Sequence, residues 1–308
     1  MAILFLSPSD DPAEWLPELN SRIPGREIRV WPDAGDLSEI DYALAWRPPA
    51  GVLGRLPNLR VIFSLGAGVD GVLSDPELPD KPLVRMVEPG LTEGMTEYVV
   101  LQVLHWHRQM EAYRAQQERR EWRQLGQKLA RERRVGVLGL GVLGADAARV
   151  LKELRFDVAG WSRSPKDLPG VTCFHGAAGL PEFLARTEIL VCLLPLTPET
   201  VGILNWETLA ALPRGACIVN AARGGHVDEQ DLLAELDSGH IAGASLDVFA
   251  EEPLSPDHPF WSHPRVIVTP HVAAVTHART AVGHIAEQIG RFESGLPLEN
   301  VIDRRRGY

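Results

Sequence analysis

The stretch VGVLGLGVLGADAARVLKEL, residues 135–154, decides the fold of this chain. Its first five residues are a short apolar run that predicts a buried strand, and the pattern after residue 144 predicts a helix. The glycines between them have the spacing of a turn whose backbone N–H groups can approach a pyrophosphate, and the helix N-terminus adds partial positive charge. Glycine turns also join strands to helices for packing reasons alone. In this strand–turn–helix setting we favour a dinucleotide site, formed by Gly139, Gly141, Val142, Leu143 and Gly144.

Apolar runs alternate with helical patterns on both sides of this stretch, as is typical of parallel α/β proteins. Further strands are predicted at 2–6, 28–31, 42–46, 60–64, 83–85, 158–161, 189–194, 216–219, 244–247 and 266–269. Two long helices are predicted at about 98–123 and 276–293. The fold class is therefore α/β, with two doubly wound parallel-sheet domains. We expect residues 95–276 to form the dinucleotide-binding domain, and residues 1–94 with 277–308 to form the substrate domain.

The composition narrows the function classes. The 308 residues are 45% hydrophobic and 23% charged, and the formal net charge of −10 argues against a nucleic-acid partner. The apolar opening is too short for a membrane span and has no basic leader, so no membrane association and a cytoplasmic location are expected. The three cysteines are predicted to be reduced and inert. The histidines other than His271, His226 among them, do not have the spacing of metal ligands, so no metal site is expected.

The end of the strand after the glycine turn indicates the cofactor. In NAD-binding versions of this unit an acidic residue there holds the adenosine ribose hydroxyls. Here the strand ends in Ser162-Arg163-Ser164, with no carboxylate. An arginine with two hydroxyls would bind a 2′-phosphate, whereas an aspartate would repel it. We therefore favour NADP(H), with NAD(H) possible; the alternative is that Arg163 is only a solvated loop residue.

Three polar side chains follow the last three predicted strands. They are Arg223 in NAARG, Glu252 in DVFAEEP and His271 in TPH. In an open α/β sheet, ligands bind at the carboxyl ends of the strands, where all three residues fall. A cation, a carboxylate and an imidazole beside a dinucleotide site could bind an organic acid, polarise its carbonyl and move a proton. Taken singly, such residues are more often surface ion pairs or satisfied polar groups; their joint occurrence favours catalysis.

With these residues in place, the whole chain resembles the D-isomer-specific 2-hydroxyacid dehydrogenases, and within them the glyoxylate/hydroxypyruvate reductase A branch. The motifs that carry the resemblance, besides the glycine turn, are WRPP (46–49), LGAGVD (65–70), EPGLTEGMTEY (88–98), WSRS (161–164) and LPLT (194–197). The resemblance implies a Rossmann dinucleotide-binding domain and a flavodoxin-like substrate domain. It also implies a homodimer formed through helices of the nucleotide domain.

The resemblance assigns roles to individual residues. Arg223 would hold the substrate carboxylate and touch its carbonyl oxygen, His271 would donate a proton to that oxygen, and Glu252 would orient the imidazole and favour its protonated form. The substrate contacts implied are Trp46, Ala67, Gly68 and Arg223. The cofactor contacts implied, beyond the glycine turn and Ser162 to Ser164, are Met95, Leu194, Pro195, Ala221, Arg223, Asp247 and His271.

The function predicted is an NAD(P)H-dependent reduction of glyoxylate or hydroxypyruvate to glycolate or D-glycerate. Two alternatives stay open at this point. One is a reductase of another 2-oxo acid, bulkier or phosphorylated, for which Arg47 is the only evident additional cation. The other is a nucleotide-sensing binding protein, such as the corepressors built on the same scaffold, because fold alone does not decide function.

Overall fold

In the computed structural model, which describes residues 2–308, strands and helices alternate along most of the chain. The strands are β1 Ala2–Leu6, β2 Glu27–Val30, β3 Ile40–Ala45, β4 Val61–Ser64, β5 Leu83–Val84, β6 Arg134–Leu138, β7 Asp157–Ser162, β8 Thr172–His175, β9 Ile189–Cys192, β10 Ala216–Asn220, β11 Ile241–Leu246 and β12 Val266–Val268. The helices are α1 Pro12–Arg22, α2 Asp70–Leu73, α3 Pro89–His107, α4 Met110–Glu118, α5 Val142–Glu153, α6 Gly176–Arg186, α7 Trp206–Ala210, α8 Glu229–Ser238 and α9 Ala278–Glu293.

The chain divides into two compact units. The first comprises the residues up to Leu91 together with Val275–Tyr308, and the second comprises Thr92–Ala274. Each unit contains one sheet, and every pairing between named strands is parallel. The predicted α/β class with two doubly wound sheets is therefore confirmed. The domain boundaries at 94/95 and 276/277 stay a prediction of where two independently folding domains meet.

The sheet of the second unit has the strand order β12-β11-β10-β9-β6-β7-β8. Alternate residues of its central strands enter two different apolar clusters: Val135 and Val137 belong to one, and Leu138 belongs to the other. This alternation means that the sheet is covered on both faces, which explains why its strands are continuously apolar in sequence. Because β6 lies between β7 and β9, the strand order reverses at β6, and the glycine turn follows β6 at this switch point.

The sheet of the first unit has the order β2-β1-β3-β4-β5, and β1 is buried along its whole length. Helix α1 begins where the Asp11 side chain accepts a hydrogen bond from the Ala13 backbone N–H at 2.9 Å. Helix α9 contacts α1 and buries an apolar face that includes Val282, Ile285 and Ile289. These elements leave the carboxyl ends of β3 and β4 to carry the loops with Trp46 and Gly68.

Two predictions about local structure were wrong. Strand β8 was missed, because it is a four-residue edge strand whose side chains are only partly buried and show no apolar run. The helix predicted at 98–123 is two helices: α3 begins earlier, at Pro89, and α4 ends at Glu118. The break lies at Gln109, which adopts the left-handed conformation with φ of 57°. Sequence periodicity does not reveal a single residue of that conformation when the residue is not glycine.

Candidate active site

The glycine turn joins β6 to α5 in the conformation that a phosphate cradle needs. Gly139 has φ of +101°, which side-chain-bearing residues rarely adopt. Gly144 packs so closely that a Cβ atom there would lie 1.8 Å from the Gly139 carbonyl oxygen. By contrast, a Cβ at Gly141 would meet nothing within 4 Å, and no side chain caps the start of α5. The turn therefore presents open space and an uncapped helix N-terminus, which fits the pyrophosphate of a dinucleotide.

The 2′-phosphate residues lie at the carboxyl end of β7. The Ser162 hydroxyl donates to the Ser164 carbonyl at 2.8 Å, and the Trp161 indole N–H donates to the Gly176 carbonyl at 2.9 Å. Arg163 is exposed between the two serines. The pKa of the Glu199 carboxyl is lowered mainly by a hydrogen bond with Thr197, with a smaller contribution from the charge of Arg163, which places Arg163 near Glu199. The loop is thus folded back on itself with its guanidinium at the surface.

The segment after β9 is a tight loop. Thr200 organises it, since its hydroxyl lies 2.7 Å from the Pro195 carbonyl and accepts from the Thr197 backbone N–H at 2.8 Å. The predicted cofactor contacts Leu194 and Pro195 are buried and half-buried, and Ala221, after the neighbouring strand β10, is buried. Met95 is also buried, in the apolar cluster of α3 and α5, so packing contributes to its presence there.

Arg223 follows β10 by three residues and is half-buried. The Asn220 side-chain amide donates to the Arg223 carbonyl at 2.9 Å, and the Arg223 guanidinium donates to the Ala222 carbonyl at 2.7 Å. The next residue is a glycine for a steric reason: a Cβ at Gly224 would lie 1.8 Å from the Phe249 carbonyl carbon. The loop of Arg223 therefore lies directly against the segment that leads to Glu252.

Glu252 and His271 form a hydrogen-bonded pair. The Glu252 Oε2 atom lies 2.8 Å from His271 Nδ1, and Glu252 Oε1 accepts from the Phe249 backbone N–H at 3.1 Å. Both side chains are largely but not completely buried, with 14% and 27% exposure. A carboxylate in contact with one ring nitrogen fixes the orientation and the tautomer of the ring. The structure thus brings together two of the predicted catalytic residues and places the backbone of the third against the same segment.

Asp247 holds the backbone that carries His271. Its carboxylate, in a residue only 1% exposed, accepts from the Thr269 hydroxyl at 2.6 Å and from the Val272 and Ala273 backbone N–H groups at 2.9 Å each. The His271 N–H donates to the Asp247 carbonyl at 2.8 Å, and His271 itself has φ of 56°. Because three of roughly four acceptor positions on the carboxylate are used within the protein, Asp247 is primarily an organiser of this loop. Its predicted contact with the cofactor carboxamide stays a prediction.

Tyr98 extends this network. Since Thr269 donates to Asp247, the Tyr98 hydroxyl is the donor across the 2.9 Å contact with Thr269 Oγ1. Burial is the main cause that raises the pKa of Tyr98 to about 12, so the hydroxyl keeps its proton at neutral pH. The network ties α3 to the loops after β11 and β12. It could not be found from sequence, because no motif joins residues so far apart along the chain.

The predicted substrate residues of the first unit lie at the ends of β3 and β4. The Trp46 indole is half-buried against Gly66, where a Cβ atom would lie 2.5 Å from the ring. The buried Ser64 hydroxyl contacts the Gly66 and Gly68 carbonyls at 3.0 and 3.1 Å, which curls the turn so that Ala67 and Gly68 stay partly exposed. The Trp46 ring therefore packs against the turn while the residue keeps some exposure.

His226 has hydrogen-bond partners that the sequence did not reveal. It is fully buried, its Nδ1 atom contacts the Arg223 backbone, and its Nε2 atom lies 3.3 Å from the Pro195 carbonyl. Its position three residues after Arg223 was the only signal in the sequence. Among residues 2–308 no group of histidine, cysteine or carboxylate side chains could hold a metal ion. Within the same range no helix is long and apolar enough to cross a membrane.

Comparison with known proteins identifies the family that the sequence motifs resemble. Residues 100–273 match the family model described as the NAD binding domain of D-isomer specific 2-hydroxyacid dehydrogenases. The chain is similar to a D-isomer specific 2-hydroxyacid dehydrogenase from Xanthobacter autotrophicus Py2 solved with NADPH and MES (47% identity, 100% of this chain and 99% of that chain, TM-score 0.96). It is also similar to the NADPH-dependent glyoxylate/hydroxypyruvate reductase of Sinorhizobium meliloti solved with NADP and sulfate (48%, 100% of both chains, TM-score 0.95). A third similar structure is a probable 2-hydroxyacid dehydrogenase from Rhizobium etli CFN 42 with NADP, HEPES and L(+)-tartaric acid (43%, 100% and 99%, TM-score 0.91).

Proposed function

Because the chain belongs to the D-isomer specific 2-hydroxyacid dehydrogenase family, we propose that it is an NADPH-dependent reductase of small 2-oxo acids, with glyoxylate and hydroxypyruvate as substrates. The observation that carries the proposal is the Glu252–His271 pair, 2.8 Å apart, at the same sheet edge as Arg223 and the glycine turn. That combination supplies proton donation and carboxylate binding beside a dinucleotide cradle.

Each side chain has a distinct part in this reaction. Bound NADPH supplies the hydride. Arg223 binds the carboxylate of the oxo acid through its guanidinium and polarises the carbonyl. His271, oriented through Nδ1 by Glu252, delivers a proton from Nε2 to the carbonyl oxygen, a step of the kind that is typically worth roughly 10²- to 10⁴-fold in rate. Trp46, Ala67 and Gly68 are proposed as further substrate contacts.

The preference for NADPH rests on the end of β7. The relatives from Xanthobacter and Sinorhizobium are described with NADPH and NADP, and here Ser162, Arg163 and Ser164 stand where a carboxylate would exclude the 2′-phosphate. Arg163→Ala should raise the KM for NADPH about 10- to 100-fold, since a charge-assisted hydrogen bond is worth roughly 1.5–3 kcal/mol. The KM for NADH should change little. Lys166→Ala, at an exposed position in the same loop, is the matched control.

The activity itself is tested by following NADPH oxidation with glyoxylate, hydroxypyruvate and pyruvate. We expect turnover of the first two, and a KM increase together with a kcat decrease for Arg223→Ala, because Arg223 acts in both binding and the transition state. Inactivity on every 2-oxo acid with NADPH still bound tightly would overturn the proposal in favour of nucleotide sensing. Turnover of bulkier or phosphorylated oxo acids alone would place the enzyme elsewhere in the family.

We also propose that the protein is a homodimer. Several large apolar side chains of α3, α4 and the segment after α4 are exposed, and Trp122 is completely so, at 103%. The others are Leu101, Leu104, Met110 and Leu129. Large apolar residues exposed along one stretch of the chain support an interface there, because contiguous apolar surface marks interaction sites. Light scattering on the wild type and on Trp122→Ser tests this; a wild-type monomer at micromolar concentration would rule it out.

A further inference from the structure

The buried imidazole of His226 connects two parts of the second unit that have different proposed tasks. On one side its Nδ1 atom lies 3.2 Å from the Arg223 backbone nitrogen and 3.0 Å from the Arg223 carbonyl oxygen. On the other side its Nε2 atom lies 3.3 Å from the carbonyl oxygen of Pro195. Arg223 is the proposed carboxylate-binding residue, and Pro195 belongs to the proposed cofactor segment. No role for His226 follows from the reaction described above.

One protonation state fits these contacts. A neutral imidazole has one donor and one acceptor nitrogen. With the proton on Nε2, the ring donates to the Pro195 carbonyl while Nδ1 accepts from the Arg223 N–H. With the proton on Nδ1 instead, the ring would donate to the Arg223 carbonyl at 3.0 Å, but the Nε2 lone pair would face the Pro195 carbonyl and make no bond. Of the two neutral tautomers, only Nε2–H therefore makes a hydrogen bond on both sides of the ring.

The backbone around His226 is held independently of its ring. The Leu204 N–H donates to the His226 carbonyl at 2.8 Å, and the Gly202 N–H donates to the Gly225 carbonyl at 2.9 Å. Replacing the imidazole therefore leaves the path of this turn supported. A change in ring chemistry can thus alter the positions of Arg223 and Pro195 without unfolding the loop.

We propose that His226, as the neutral Nε2–H tautomer, is a positioning residue that holds the Arg223 backbone in register with the cofactor segment at Pro195. The proposal rests on the proposed reductase function, because that function assigns Arg223 to the substrate and Pro195 to the cofactor. The physical basis is that Nδ1 contacts the Arg223 backbone and Nε2 contacts the Pro195 carbonyl in a buried setting, so the two contacts can be removed separately.

Two substitutions each remove one of the two hydrogen bonds made by the His226 ring. His226→Asn places an amide oxygen near the position of Nδ1, so the bond from the Arg223 N–H is kept and the bond to Pro195 is lost. His226→Gln places an amide N–H₂ near the position of Nε2, so the bond to Pro195 is kept and the bond to Arg223 is lost. His240→Asn and His240→Gln are the matched controls. The His240 ring lies 3.1 Å from the Leu209 carbonyl. His240 directly precedes β11, so it lies at the amino ends of the strands, away from the carboxyl ends that carry Arg223.

The readouts are the NADPH dissociation constant, from fluorescence titration without oxo acid, and kcat/KM for glyoxylate at saturating NADPH. Loss of one neutral hydrogen bond corresponds to about a 3- to 10-fold effect. We expect His226→Asn to weaken NADPH binding by about that factor with little change in kcat/KM for glyoxylate. We expect His226→Gln to show the opposite pattern. The His240 variants should change neither quantity.

Equal effects of the two His226 variants on both readouts, or no effect of either, would overturn the proposal and leave His226 as a packing residue. If both variants failed to fold, the ¹⁵N chemical shifts of His226 in the wild-type protein would decide, since an Nδ1–H tautomer or a doubly protonated ring contradicts the assignment. If the wild type reduced no oxo acid, the proposed function would fail separately, while the tautomer and the NADPH affinities would still test the link.

Discussion

Replacing Asp247 should damage both the stability of the second unit and the position of His271. The carboxylate accepts three hydrogen bonds, from the Thr269 hydroxyl and from the Val272 and Ala273 backbone N–H groups. All three donors belong to the loop that carries His271 after β12. Since Asp247 is only 1% exposed, water cannot easily replace the carboxylate as acceptor.

The expected loss in the free energy of unfolding depends on how many of the three donors keep an acceptor. In Asp247→Asn the amide oxygen can replace Oδ1, but the amide nitrogen then faces the Ala273 N–H, so one charge-assisted bond is lost and two donors oppose each other. We expect a loss of about 2–4 kcal/mol in the free energy of unfolding. In Asp247→Ala all three donors lose their acceptor, and we expect about 3–6 kcal/mol. Either value is a large part of the roughly 5–15 kcal/mol that stabilises a typical protein.

Urea denaturation followed by tryptophan fluorescence measures these losses, and kcat with glyoxylate reports the displacement of His271. The expected order of stability is wild type, then Asp247→Asn, then Asp247→Ala, with kcat falling in the same order. Asp167→Asn is the control, because Asp167 is exposed. A loss below about 0.5 kcal/mol for Asp247→Asn, comparable to a neutral surface change, would refute the reasoning.

Three further predictions concern the cofactor turn, the catalytic pair and the cysteines. Gly141→Ala should leave the melting temperature unchanged, because a Cβ atom there meets no protein atom, but it should weaken NADPH binding at least about tenfold, because the Cβ fills the space proposed for the pyrophosphate. Gly144→Ala should lower the melting temperature, because overpacking costs roughly 1–3 kcal/mol. Glu252→Gln should reduce kcat about 10- to 100-fold with NADPH affinity intact, as for other groups that orient a functional imidazole; unchanged kcat would contradict its role. Burial raises the pKa of both Cys192 and Cys217 to about 12, so neither should react with a thiol reagent at pH 8 unless urea is present. Because the unfolded chain releases these protons near pH 9 and the folded chain keeps them, stability should fall as pH rises from about 9 towards 12, which urea midpoints would measure.

Family membership and the main features of the fold could be predicted from the sequence because their signals are local. The glycine spacing at residues 139–144 and the continuous apolar strands each reflect interactions between neighbours in the chain, or burial on both faces of a sheet. Arg223, Glu252 and His271 could be proposed as site residues from the sequence because a parallel sheet brings the carboxyl ends of its strands to one edge. That rule places residues at an edge, but it gives no distances between them.

The tertiary structure alone decided which atoms meet at that edge. The contact of Glu252 with Nδ1 of His271, the three donors on Asp247 and the link from His226 to Pro195 all join loops that are distant in sequence. Such bonds depend on the path of each loop and on a close approach such as that of Gly224 to Phe249. Periodicity carries no information about these paths, because a loop has no repeating geometry. The sequence by itself therefore determined the kinds of groups that this protein places around its proposed cofactor site, and packing between the loops determined how they are held.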